Sequence, residues 1–120
     1  MIAAVNNHIE IINMVLKYSK LDDVNKLGYS ALMLASNGAH LQSVRILIEA
    51  GANLNLGNED GNTAFIFSAM KGMLPMVQYF LQFDVEINVR NKKGYTALGL
   101  ALKQEYYDVA LVIEEAGGIL

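Results

Sequence analysis

His8 and His40 are the only two side chains of this 120-residue sequence that titrate near neutral pH without help from their surroundings. An imidazole can serve as a general base or a metal ligand, but either role needs partners. A base needs a nucleophile within hydrogen-bond reach, and a metal needs two or three further ligands. There are no cysteines, so thiolate nucleophiles, thiolate metal sites and a disulfide framework are excluded. No HExxH, P-loop or GxSxG pattern occurs. The stretch LGNEDGN, residues 56–62, places Asn58, Asp60 and Gly61 at plausible calcium-loop offsets. Its first ligand would be Leu56 and its bidentate twelfth Phe67, neither of which has a side-chain oxygen, so the loop fails as a cation site. Asp22 and Asp23 read as a solvated loop rather than an acid/base couple. The two histidines lie 32 residues apart at matching places of one recurring pattern. That points to a structural imidazole bonding loop backbone between helices, and to a chain that is not an enzyme and holds no cofactor.

The recurring pattern is what must position any functional residue. Gly28, Gly61 and Gly94 are spaced 33 and 33. Two residues after each comes a hydroxyl (Ser30, Thr63, Thr96), then Ala31, Ala64, Ala97, then Leu32, Phe65, Leu98. Val44, Val77 and Ala110 share a register, as do Leu47, Phe80 and Ile113. A fixed period in this range signals a stacked array of small units. The glycine permits φ > 0 in a tight turn, and the hydroxyl two residues later caps a helix, worth about 1 kcal/mol. The first helix is short and carries small residues at Ala35, Ser36, Ser68, Ala69 and Ala101, which let backbones approach closely. The second places Val44, Leu47 and Ile48 on one face, and Gly51 suits its C-terminal cap. Each unit reads turn, helix, short connection, helix, loop. The methionines and aromatics, among them Met14, Met33, Met73, Met76, Phe65 and Phe80, read as core at helical spacing. Met70 is the exception, falling in a variable register.

Bulk properties bound the rest. The chain is 53% hydrophobic with a mean hydropathy of +0.28, yet no apolar run approaches the roughly 18–20 residues needed to span a bilayer. The start, MIAAVNNHIEII, lacks a basic region and a long apolar core, so no signal peptide is expected. A net charge of -3 argues against a nucleic-acid binder. With one proline and no Pro/Ser-rich stretch there is no linker, so one domain is expected. Absence of cysteine makes a reducing, cytoplasmic setting the expectation.

The glycine turn, the T-A-L that follows it, the second helix AHLQSVRILIEA and the closing GANLN resemble the ankyrin-repeat family over essentially the full chain. NHIEIINMVLKY, residues 7–18, looks like the second helix of an earlier unit. The resemblance implies an all-α solenoid of helix-turn-helix units with short hairpin turns. One array over 1–120 is expected: a partial first repeat (1–25), then 26–57, 58–90, and a fourth repeat, 91–120, as C-terminal cap. The sequence departs from the family's usual T-P-L-H. Alanine replaces the proline in all three copies, and Met33, Ile66 and Gly99 replace the histidine, so the family's Thr–His bond between turns cannot form. Gly99 inside a helix costs about 1 kcal/mol against alanine. Glu114, where earlier copies have Ile48 and Leu81, suits a capping unit with a polar outer face. The first unit lacks its turn, so Ile2, Val5, Ile9 and Ile12 are expected to leave apolar surface that dimerises, exchanges elements between copies or belongs to a longer array.

The resemblance further implies a protein-interaction module, a regulatory or inhibitory subunit being a special case, with binding on the concave turn-and-inner-helix face. The corresponding variable positions include Lys26, Leu27, Tyr29, Asn37 and Gly38 in one unit. The next supplies Glu59, Asp60, Asn62, Met70, Lys71 and Arg90, and the last Lys92, Lys93, Tyr95, Lys103 and Gln104. Tyr29 and Tyr95 are equivalent and suit hot-spot anchors. Lys71, Arg90, Lys92, Lys93 and Lys103 make this face basic, which favours an acidic partner segment over nucleic acid or membrane. Asn55 and Asn88 match the loop asparagine that such arrays offer to asparaginyl hydroxylases. The competing account is a structural asparagine bonding the neighbouring turn's backbone.

Overall fold

The computed structural model describes residues 21–120. Six helices run in pairs within them: α1 (Ala31–Asn37) with α2 (Leu41–Glu49), α3 (Ala64–Met70) with α4 (Leu74–Phe80), and α5 (Ala97–Lys103) with α6 (Tyr107–Glu115). The short inner helices α1, α3 and α5 stack on one another, and the outer helices do so more sparsely behind them. This is the expected all-α solenoid. Its turns are narrow hairpins, two of which close with isolated antiparallel bridges, Val24 to Ser30 and Gly57 to Thr63. His8, Ile2, Val5, Ile9, Ile12 and Met14 lie outside the described residues, as does most of the expected first repeat.

Each inner helix starts where its hydroxyl sits. Ser30, Thr63 and Thr96 are extended and accept hydrogen bonds from the amides of Met33, Ile66 and Gly99 at 3.1–3.2 Å, satisfying donors that the first turn leaves orphaned. Ser36, Ser68 and Ala69 are sealed from solvent, letting neighbouring inner helices close up. The buried hydroxyls are satisfied locally, Ser36 donating to Leu32 O and Ser68 to Phe65 O. Behind them Val44 and Leu47, Val77 and Phe80, and Val109 and Ile113 form successive buried layers. Phe65 meets Phe80 edge-on, with centroids 6.1 Å apart. Met33, Met76 and Phe65 are core, as their spacing predicts, and Met70 is half-buried. Helix α4 accommodates the single proline, Pro75, in its first turn, where no amide is needed. It is two residues shorter than α2 and α6: Asp84 stands where those helices close on Gly51 (φ +96°) and Gly117 (φ +102°).

Each pair is joined through a left-handed residue: Ala39 (φ 60°), Gly72 (φ 66°) and Glu105 (φ 64°). Only the middle copy uses the residue that pays no steric penalty there.

Two sets of side chains fix the turn tips. Inside each turn an asparagine carbonyl accepts two backbone amides, as an Asx turn does. Asn25 takes Leu27 and Tyr29, Asn58 takes Asp60 and Asn62, and Asn91 takes Lys93 and Tyr95, all at 2.9–3.0 Å. Between units, a side chain 33 residues periodic reaches the next loop. Asp22 accepts from the Asn53 amide at 2.8 Å, Asn55 from Glu86 at 2.8 Å, and Asn88 from Ile119 at 2.9 Å. Asn55 and Asn88 also donate to Asp84 O and Gly117 O. Both therefore bond the neighbouring loop's backbone, as the structural account holds. The reading of Asp22 as merely solvated is corrected: it is exposed, but its carboxylate latches one loop to the next.

Three stability outcomes follow from this geometry. Glu105→Gly should stabilise the fold by about 1 kcal/mol by removing left-handed strain. Gly72→Ala should destabilise by more than that, since a Cβ there would lie 2.8 Å from the Tyr106 ring as well as being strained. Asn91→Ala should cost about 1 kcal/mol, because two turn amides, one exposed and one half-buried, lose their acceptor. Urea denaturation, with an unchanged slope, measures all three.

Candidate partner-binding face

Register dictates which residues meet on the inner face. Positions 27, 60 and 93 and positions 29, 62 and 95 line the turn tips. Positions 34, 67 and 100 and positions 37, 70 and 103 project from successive inner helices. Between the third and fourth repeats this surface opens into a cleft of about 390 Å³. Its apolar walls are Met70, Tyr95 and Leu100, and Lys92, Lys93 and Lys103 stand around it. Asp60, Asn62, Asn91 and Gln104 complete the lining. Three ammonium groups therefore face one carboxylate, in a chain whose net charge is -3.

Several of these side chains are held in place. Lys103 Nζ lies 4.8 Å from the Tyr95 ring centroid and 3.4 Å from its hydroxyl, a cation–π arrangement. The Lys92 amide donates to Asp60 O at 2.9 Å, and the Lys93 amide to Asn91 Oδ1 at 3.0 Å, so the lysine-bearing tip has a fixed backbone. Asn91 Nδ2 donates to Asn62 Oδ1 at 3.0 Å, tying the two lips together.

Eight of the residues expected from sequence line this cleft: Asp60, Asn62, Met70, Lys92, Lys93, Tyr95, Lys103 and Gln104. The other eight lie apart from it; of these, Lys26 and Gly38 are exposed and Asn37 is half-buried. Leu27 is exposed at the preceding tip, and its carbonyl accepts from the Glu59 amide at 3.2 Å. Glu59 and Lys71 are exposed. Arg90 is exposed, with its guanidinium donating to Gly94 O and Leu120 O. Tyr29 stacks on Phe67 with centroids 5.5 Å apart and planes at 26°. That stack explains an orphan: Asn58 Nδ2 is buried without a hydrogen-bond partner, because Tyr29 stands where Asn62 supplies its oxygen to Asn91.

Sequence reasoning missed Asn91 and Leu100. Asn25, Asn58 and Asn91 share the 33-residue period, so that signal was present. Leu100 gives none, since Leu34, Phe67 and Leu100 form an apolar column indistinguishable from core. Its members are exposed by 51%, 3% and 7%. His40 sits at the start of α2 against Gly38, where a Cβ would meet its ring at 2.6 Å. Among the described residues no three His, Asp or Glu side chains converge as a metal site would require, and no helix is long and apolar enough to cross a membrane.

The family profile described as ankyrin repeats (3 copies) matches residues 1–58 and 40–118. The chain is 33% identical over 119 residues to the ankyrin repeat and KH domain-containing protein mask-1 of Caenorhabditis elegans, covering 97% of this chain and 4% of that protein. It is 28% identical over 133 residues to the putative E3 ubiquitin-protein ligase XBAT31 of Arabidopsis thaliana, covering 99% of this chain and 29% of that one. Ankyrin repeat protein OPG189 of vaccinia virus is 28% identical over 86 residues, which are 72% of this chain and 15% of that protein. The chain thus spans a minor part of each of these relatives. With the profile running along nearly all of it and the turn, helix pair and loop returning at each 33-residue step, this chain belongs to the ankyrin-repeat family.

Proposed function

We propose that this array is a non-catalytic module that binds an acidic, partly apolar segment of a partner protein across its turn tips and inner helices. Ankyrin arrays generally serve as protein-interaction modules and are generally not catalytic. The observation that carries the finer reading is the cleft in which Met70, Tyr95 and Leu100 meet three lysines. Apolar walls supply an anchor for a side chain, and the lysines set the sign of the partner's charge. Tyr29 extends the same face one unit earlier as an aromatic shelf resting on Phe67. Nucleic acid is the rival ligand for a basic surface, but the chain as a whole repels it, and phosphate contacts would impose a steep salt slope.

Affinity capture from the cell that makes the protein, using wild type and a Tyr29→Ala, Tyr95→Ala double variant, tests the reading. A partner that uses this face should be lost from the double variant while circular dichroism shows the fold retained. With that partner in hand, Tyr95→Ala should cost roughly 1–3 kcal/mol of binding, expressed mainly as faster release. Paired Lys92→Glu and Lys93→Glu changes should slow association and flatten its salt dependence. If every captured partner survives the double tyrosine change, binding lies elsewhere and the concave-face reading is wrong.

A further inference from the structure

The two inner-face grooves are built on the same backbone positions, but their occupancy differs. In the groove between the second and third repeats, positions 29 and 67 hold Tyr29 and Phe67, stacked at 5.5 Å. One unit later the same two positions hold Asn62 and Leu100, and there the surface opens into the cleft of about 390 Å³. The array therefore carries an aromatic plug in one groove and an opening at the equivalent place in the next.

We infer that the cleft between the third and fourth repeats is a discrete subsite for one bulky apolar side chain of a partner peptide, flanked by a single acidic side chain on the fourth-repeat lip. This rests on the reading of the inner face as the partner-binding surface and narrows it to a peptide pattern. Three observations support it. The volume is at the small end of ligand sites, which run roughly 300–1,000 Å³; it suits one large side chain with its adjoining backbone. The floor is apolar and adaptable, Leu100 being 7% exposed and Met70 a flexible thioether. The charges are divided between the lips. Lys92, Lys93 and Lys103 belong to the fourth repeat, and Asp60 to the third. A carboxylate is drawn to one lip and repelled from the other, so a uniformly acidic run fits worse than one acid on one side of the apolar residue. Lys103 is already held over the Tyr95 ring, so less of its side-chain freedom remains to be lost on binding.

The experiment is selection from a random-peptide display library on the full chain, followed by binding of the enriched synthetic peptides to variants. Enriched peptides should pair an Asp or Glu with a nearby Phe, Leu, Met or Trp. Asn62→Tyr combined with Leu100→Phe, which copies the plug of the preceding groove, should weaken them by about tenfold or more. Asn58 already lacks the amide oxygen that this variant removes from Asn91, so the array tolerates that loss elsewhere. Lys92→Glu with Lys93→Glu should shift selection from acidic–apolar to basic–apolar peptides, and decides the matter should the plugged variant fail to fold. Asp60→Asn should admit a second acid on the other side of the apolar residue. Peptides that bind the plugged, folded variant as well as wild type overturn the subsite, as do enriched peptides without the acid–apolar pairing, or no enrichment at all. Peptides lost on Tyr29→Ala but kept by the plugged variant sink the subsite and leave the concave-face reading standing. Peptides indifferent to both changes sink both.

Discussion

Everything in this array depends on how closely successive turn tips approach. The Leu27 carbonyl takes the Glu59 amide, and the Asp60 carbonyl takes the Lys92 amide. These groups stand at the exposed end of each unit, where loss of a partner would leave the tips independent. The approach is possible because Gly28 and Gly61 have no Cβ. One at Gly28 would lie 3.1 Å from Glu59 N, and one at Gly61 would lie 3.2 Å from Asn91 Cα. Both glycines also take positive φ, so two separate requirements fall on one residue. Gly94 shares the positive φ but has no neighbouring atom within 4 Å of its would-be Cβ. At that turn only the conformational requirement acts.

Once the tips are fixed, the rest of each unit follows by stacking. Repeats of this kind contact their neighbours alone, so stability accumulates as a series of interfaces. Here the interfaces are more apolar than the family's usual pattern would make them. Met33 and Ile66 stand where a polar histidine is common, and both are 1% exposed. The hydrogen bond that histidine would make is exchanged for buried hydrocarbon, and polar latching moves to the loop side chains Asp22, Asn55 and Asn88. Those latches lie in the same long connection between outer and inner helix that carries the turn tip. Successive connections are thus tied at two places, the latch and the tip.

A scaffold this regular makes function a matter of a few side chains. The grooves on either side of the third repeat share backbone geometry and hydrogen-bond pattern, yet one holds a tyrosine on a phenylalanine and the other an asparagine and a leucine. The exchange alters polar satisfaction as well as shape. Asn62 offers its oxygen to Asn91, whereas Tyr29 leaves Asn58 with an unused buried amide. Tyr29 thus both forms half of the aromatic stack and leaves the donor orphaned.

The 33-residue period determined the fold, because each recurring residue meets a requirement that is local in the chain. A glycine must supply φ > 0, a hydroxyl must cap, and small or branched residues must face the stack. The inner-face positions were legible for the same reason: register alone says which residues project together. What register could not say is how much space remains between them. That depends on side chains from two units at once, such as Tyr29 with Phe67, and on whether an apolar residue like Leu100 is covered. Nor could it show that Arg90 spends its guanidinium on carbonyls of its own chain, or that Asp22 reaches the loop of the next unit. Spacing encodes direction along the chain, while occupancy and pairing are decided across it, where residues some 30 positions apart compete for the same volume and the same hydrogen bonds.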